Sequence, residues 1–239
     1  MELKKQTVLI TGATGGLGKS LTITLARLGC NLIIHGKDKK KVEALSNEIR
    51  EVNPSSKIST IVCDFNKPSE IIKCFSDVKQ LDILINNAGV WAEGETIEIT
   101  PEKIIELTNV NLLSYLLVTR ILLPILKKSS FSQILNVSSI AGIEIPQDYF
   151  HTIYSATKFG VQGFSEALAK EFYNKKMRIM GYYPGGMSTD FFIKAGIDYK
   201  SDNAWMFNPQ ESVASIIFML TRNPKVSIKR MDLINQQES

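Results

Sequence analysis

Short apolar runs alternate with amphipathic segments along almost the whole chain. The runs are QTVLIT (6–11), NLIIH (31–35), KISTIVC (57–63), DILIN (82–86), QILNVS (133–138) and RIMGYY (178–183). They are apolar throughout rather than at every second position, as expected of strands covered on both faces. Between them the apolar residues recur with a helical period. Leu17, Leu21, Leu25 and Leu28 predict a first helix from Gly16, closed by Gly29. Asp38 predicts the N-cap of a second, running to about Arg50. Pro68 to Phe75 predicts a short third. Thr100-Pro101 opens a long helix over 102–127, carried by Ile104, Ile105, Leu107, Leu113, Leu117, Ile121 and Ile125. Val161, Phe164, Leu168 and Phe172 predict another over 154–175. A helix over 209–221 then precedes a possible last strand in VSIKRMDLI (226–234). No linker or repeat interrupts the alternation. It implies the α/β class: one doubly wound Rossmann domain over 1–239, with a parallel sheet of about seven strands and helices on both faces.

Composition narrows the classes. A chain of 239 residues builds a core without disulfides or metal. Its 44% hydrophobic and 22% charged residues are ordinary for a soluble globular protein. The net charge of +4 is spread over short lysine runs. The densest, Lys39-Lys40-Lys41, reads as a solvated helix start, and no aromatics interleave with it to stack nucleic-acid bases. Cys30, Cys63 and Cys74 form no CxxC pair and read as reduced, buried thiols of a cytoplasmic protein. MELKKQTVLITG lacks the pattern of a signal peptide, and no apolar run approaches the ~20 residues of a membrane span. His35 and His151 have no partner at metal-ligand spacing, so no metal is expected.

Candidate chemistry sits where predicted strands end. TGATGGLG (11–18) lies between the first strand and first helix, where glycines let a phosphate approach free helix N–H groups. NNAG (86–89) ends the fourth strand and NVSSIAG (136–142) the fifth. YSATK (154–158) places Tyr154 and Lys158 one helical turn apart, and a lysine there favours the ionised phenol. Asn111 interrupts the long apolar helix.

Together, TGATGGLG, NNAG, Asn111, the serine pair, YSATK and PGGMST resemble the short-chain dehydrogenase/reductase family, in its order and rough spacing, from Thr7 to about Asn208. The C-terminus, MDLINQQES, lacks the Asp-Gly-Gly ending of fatty-acid-synthesis ketoacyl reductases and looks more like that of NADP-dependent 3-hydroxy acid and serine dehydrogenases. The resemblance implies a hydride-transferring oxidoreductase on an alcohol/carbonyl pair, with no metal. It assigns Tyr154 as acid/base, Lys158 as its assistant and holder of the nicotinamide ribose, Ser139 (or its neighbour Ser138) as partner of the carbonyl oxygen, and Asn111 as anchor of a relay water. It also implies cofactor contacts from Gly12, Thr14, Gly15, Gly16, Leu17, Gly18, Gly36, Lys37, Asp64, Asn87, Ala88, Gly89, Pro184, Gly185 and Thr189.

The same alignment puts the acidic, NAD-selecting position on Gly36 and a lysine next to it, implying NADP(H). The substrate pocket is expected from Trp91, 140–153 and 186–207, with Ile143, Ile145 and Phe150 apolar and Glu144, Gln147 and His151 polar; residues 186–208 form a candidate lid. Apolar helix faces beyond what one sheet needs imply a homodimer or homotetramer. Two other readings stay open: a nucleotide-binding regulator or sensor with little turnover, and an epimerase or dehydratase using the same tyrosine.

Overall fold

The computed structural model describes residues 2–145, 150–173, 175–197, 199 and 205–236. Seven parallel strands form one sheet in the order β3-β2-β1-β4-β5-β6-β7. They are β1 (Thr7–Ile10), β2 (Asn31–Gly36), β3 (Ile58–Val62), β4 (Ile83–Asn86), β5 (Ser132–Val137), β6 (Met177–Pro184) and β7 (Arg230–Leu233). The helices are α1 (Gly16–Arg27), α2 (Lys39–Val52), α3 (Pro68–Phe75), α4 (Pro101–Thr108), α5 (Ser114–Leu126), α6 (Thr152–Glu171) and α7 (Pro209–Thr221).

Successive strand residues feed opposite cores. Val8 and Ile10 pack with Leu21 and Leu25 of α1, Leu45 and Ile49 of α2 and Ile216 of α7. Leu9 between them packs with Ile71 and Phe75 of α3, Leu122 of α5 and Leu168 of α6. Both faces are therefore covered, which is why β1, β4, β5 and β6 are buried along their whole length. The edge strands depart from this pattern. Ser59 and Thr60 of β3 face solvent, and β7 keeps only four residues of the expected 226–234 run, half of them exposed. Cys30 and Cys63 are buried as expected, but Cys74 on α3 is only half-buried.

The local signals act as read. Asp38 caps α2 by accepting from the Lys41 N–H at 3.2 Å, and Gly29 closes α1 at φ +79°. The expected long helix over 102–127 runs unbroken over 101–126 but is not α-helical throughout. A π-helical turn, Asn109–Leu113, separates α4 from α5. Residues 101–126 also correct the expectation on apolar length. By length and composition this helical run could cross a membrane, although it packs on α3, α6 and the sheet.

The strand order reverses between β1 and β4, which are neighbours in the sheet but separated in the chain. A crevice opens there at the carboxyl ends of the strands.

Candidate active site

A cavity of about 810 Å³ occupies that crevice. Every cofactor-contact residue expected from the sequence lines it, except that Asn111 of the four candidate catalytic residues does not. One end is made of backbone. Gly12 has φ +63°, and a Cβ there would lie 2.8 Å from Ala88 Cα. A Cβ on Gly16 would lie 2.6 Å from the Thr189 side chain, so this glycine lets the segment after β6 touch the first turn of α1. Gly15 is the N-cap of α1 and supplies no side-chain cap, leaving the helix N–H groups open to the cavity. These features fit a dinucleotide pyrophosphate.

Thr11, at the head of the same turn, was quoted in the motif but given no role. Its Oγ1 accepts from the N–H groups of Asn87 (2.9 Å) and Ala88 (3.1 Å), pinning the β4 loop to the β1 loop. His35 was also missed. Buried and stacked on Phe65 at 4.1 Å, it takes the Gly12 N–H on Nδ1 at 3.2 Å, which leaves Nε2 to donate to Cys63 O at 3.0 Å. Burial brings its pKa down to about 4. Lone histidines carry no such signal in sequence.

Gly36 ends β2 where an acidic side chain was considered. A Cβ there would meet Val42 at 2.9 Å and Thr14 at 3.1 Å, so no carboxylate fits. Lys37 and Lys41 line the cavity beside it and both are exposed. Asp64 lines the opposite side, its carboxylate accepting from the Asn66 N–H at 3.0 Å.

Tyr154 and Lys158 lie in the first turns of α6, both buried. Ser139 lines the cavity with Tyr154 and Lys158; its Oγ accepts from the Ala141 N–H at 3.2 Å and donates to Pro184 O at 3.5 Å. Ser138, beside it, donates to Lys158 O at 2.9 Å. Lys158 Nζ donates to Val137 O at 3.3 Å and lies 5.6 Å from the Tyr154 ring centre. The electrostatics differ from the expected depressed phenol. Burial pushes Tyr154 well above the usual phenol range, opposed by the Ser139 hydroxyl. Burial also brings Lys158 down to about 7. Removing both groups from water disfavours each charged form.

Asn111, expected as a water anchor, is buried next to the β4 loop. Its side-chain amide is engaged by the backbone of Val90, whose N–H donates to Oδ1 at 2.8 Å and whose carbonyl accepts from Nδ2 at 2.9 Å, and Nδ2 also donates to Thr157 Oγ1 at 3.4 Å. It sits in the π turn, and that extra residue per turn aims it at the β4 loop. Tyr115, one turn on, was missed altogether. Its hydroxyl lies 3.0 Å from Ala88 O and 2.9 Å from Val137 O, tying the ends of β4 and β5 together beneath the Tyr–Lys pair.

The substrate end is aromatic. Trp91 lies 4.4 Å from the Tyr154 ring and 5.0 Å from Phe192. Phe192 in turn meets Tyr199 at 5.1 Å and Trp205 at 5.6 Å. Of the expected apolar residues, Phe150 lines the cavity, whereas Ile143 and Ile145 do not; nor does Glu144. Gln147 lies outside the described residues. His151 lines the cavity, neutral-favoured by burial, its Nδ1 2.8 Å from Ser155 Oγ.

A glycine turn at the switch point of a parallel sheet, continuous with a buried Tyr–Lys–Ser cluster, defines a dinucleotide-binding oxidoreductase. Residues 6–200 match the short chain dehydrogenase family, and the chain belongs to it. It is an enzyme acting on CH–OH or carbonyl groups. Over 238 residues it is 31% identical to an NADP-dependent 3-hydroxy acid dehydrogenase of Schizosaccharomyces pombe, covering 95% of this chain and 91% of that one. A short-chain dehydrogenase from Sphingobium yanoikuyae in complex with NADPH superposes with a TM-score of 0.84 at 25% identity, covering 95% and 87% of the two chains. An alcohol dehydrogenase from Thermococcus sibiricus, complexed with 5-hydroxy-NADP, shares the fold with a TM-score of 0.87 at 20% identity, covering 98% and 97%.

Proposed function

We propose that this chain uses NADP(H) to interconvert an alcohol and a carbonyl compound, with Tyr154 as the proton-transferring group. The observation that carries this reading is the placement of Tyr154, Lys158 and Ser139 along the same cavity as the glycine turn. Bound NADP(H) supplies or accepts the hydride. In the reducing direction Tyr154 gives its proton to the carbonyl oxygen, and Ser139 hydrogen-bonds the same oxygen. Lys158, one turn along α6, stabilises the phenolate left behind and holds the nicotinamide ribose. Asn111 and Tyr115 act as positioning residues, keeping the loop from Ala88 to Val90 in place.

The phosphate end is read the same way. Gly16, Leu17 and Gly18, in the first turn of α1, would present backbone N–H groups to the pyrophosphate, with Gly12 and Gly15 shaping the turn and Thr189 beside it. Asn87, Ala88 and Gly89 would hold the ribose and nicotinamide, with Pro184 and Gly185 also lining that part of the cavity, and Asp64 would hold the adenosine end. Gly36 and Thr14 bring no competing carboxylate to the 2′-phosphate, which Lys37 would meet. The whole chain forms one domain. The described parts of 186–208 act as its lid, anchored where Phe207 N–H donates to Gly186 O at 3.0 Å and Ser188 N–H to Phe207 O at 3.0 Å; 198 and 200–204 lie outside the described residues. Exposed Ile105 on α4 and Phe159 on α6 support pairing with a second copy.

The test is Tyr154→Phe. Turnover is expected to fall by roughly a thousandfold or more while NADPH binding stays within about threefold. Near-normal turnover overturns the assignment.

A further inference from the structure

The aromatic end of the cavity also holds a carboxylate, and its surroundings bear on the substrate's charge. Tyr199 Oη donates to both oxygens of Glu93, at 3.0 and 2.8 Å. Trp91 Nε1 donates to Glu93 Oε2 at 3.2 Å. Those two donors face a group with about four acceptor positions, so acceptor capacity remains on the cavity side. Glu93 and its two donors all line the cavity, together with Phe192 and Trp205. Trp91 spans the distance between Glu93 and the Tyr154 ring, which lies 4.4 Å from the indole.

The lysines lining the cavity, among the described residues, are at the β2 end, in the catalytic cluster, or already paired with a carboxylate. Lys37 and Lys41 sit at the β2 end, and Lys158 belongs to the catalytic cluster. Lys103 pairs with Glu106 at 2.8 Å, and Lys194 with Asp190 at 2.6 Å. A substrate carboxylate entering this end would meet aromatic faces and a like charge. An ammonium would meet ring faces that attract cations and a carboxylate that can accept from it.

Resting on the oxidoreductase reading above, we propose that the substrate carries an ammonium group about a ring's length from its carbinol or carbonyl carbon, that is, an amino alcohol or amino ketone with the two groups held apart. Glu93 is the residue that selects it, and a carboxylate in the same place is rejected. The reaction keeps the balance of the proposed activity: a hydride and a proton add across C=O, and the ammonium is untouched.

The chain's two tryptophans, Trp91 and Trp205, both line this cavity, so intrinsic fluorescence reads its occupancy without turnover. The experiment titrates the NADP-loaded protein with phenethylamine, phenethyl alcohol and phenylacetate, three ligands of one shape and different charge. In parallel, NADPH oxidation is followed with para-aminomethyl-, para-methyl- and para-carboxyacetophenone. The expected order is ammonium, then neutral, then carboxylate in both series, with about tenfold or more between the ends, roughly the worth of one partly desolvated ion pair. In Glu93→Gln, that ratio is expected to collapse toward one.

Carboxylate binding as tight as ammonium binding overturns the proposal, as does an unchanged ratio in Glu93→Gln or a failure of all three ligands to bind. The expected binding order without oxidation of NADPH by any ketone supports the charge selection and overturns the oxidoreductase reading instead.

Discussion

At the phosphate end of the cavity the shape is set by backbone and missing side chains; at the substrate end it is set by rings. A Cβ at Gly12 or Gly16 would lie 2.8 or 2.6 Å from its neighbours, so that end tolerates no addition. Its contacts join consecutive motif residues to two strand ends. The substrate end instead joins Trp91 of the β4 loop to Phe192, Tyr199 and Trp205 of the segment after β6, four rings from two distant stretches of the chain. A shape held by backbone serves a ligand common to many enzymes. A shape held by side chains is free to differ from one enzyme to the next.

The largest expected effect that separates the two ends is acid sensitivity. His35 holds the Gly12 N–H, and its folded pKa of about 4 lies below the ordinary 6.5. Its neutral form is favoured in the folded state, so the stability is complete above pH 6.5 and lost as pH falls toward 4. The span corresponds to up to about 3 kcal/mol. Urea denaturation across this window should show the loss, and His35→Gln should flatten it. A wild-type profile that is level between those limits contradicts the account of the phosphate end.

Next in size is Gly18→Ala. The added Cβ overlaps Gly12 O and the Asn87 side chain. Overpacking of this kind costs about 1 to 3 kcal/mol. NADPH affinity should drop roughly ten- to hundredfold, with the binding of phenethyl alcohol little changed. Equal losses at both ends would erase the distinction between them.

Gly186→Ala is the mirror case. Its Cβ would run into the Trp205 ring. The Michaelis constant for ketone should rise about tenfold, near 1.4 kcal/mol, while NADPH affinity holds. Isothermal titration and steady-state rates on one preparation separate the two.

The smallest effect is Lys37→Ala. Loss of one exposed contact to phosphate should raise the Michaelis constant for NADPH by roughly fivefold, about 1 kcal/mol, and leave that for NADH alone. Higher efficiency with NADH than NADPH in the wild-type enzyme removes Lys37 from its assigned role.

The same contrast explains what the sequence made legible. Strand ends, caps and glycine positions are local, so β1, α2 and α3 and the phosphate end were readable from a few adjacent residues. The π turn at Asn109–Leu113 was not, because its apolar spacing differs little from that of the α-helix around it. Ile143 and Ile145 were expected in the pocket because they precede Tyr154 in the chain, yet Phe192 and Trp205 hold that place by tertiary packing. Glu93 drew no notice, since one carboxylate in a loop is commonplace until Tyr199, 106 residues away, is seen to bind it.

The most direct measurement follows the hydride itself. NADPH carrying deuterium on the transferred position of its nicotinamide C4 is incubated with a turned-over ketone and the wild-type protein or Tyr154→Phe. The account predicts deuterium on the carbinol carbon of the product, one per NADPH oxidised, with the wild type alone, and NADPH binding by both. NADPH bound by the wild type with no deuterium transferred across a wide carbonyl panel contradicts it and describes a nucleotide sensor.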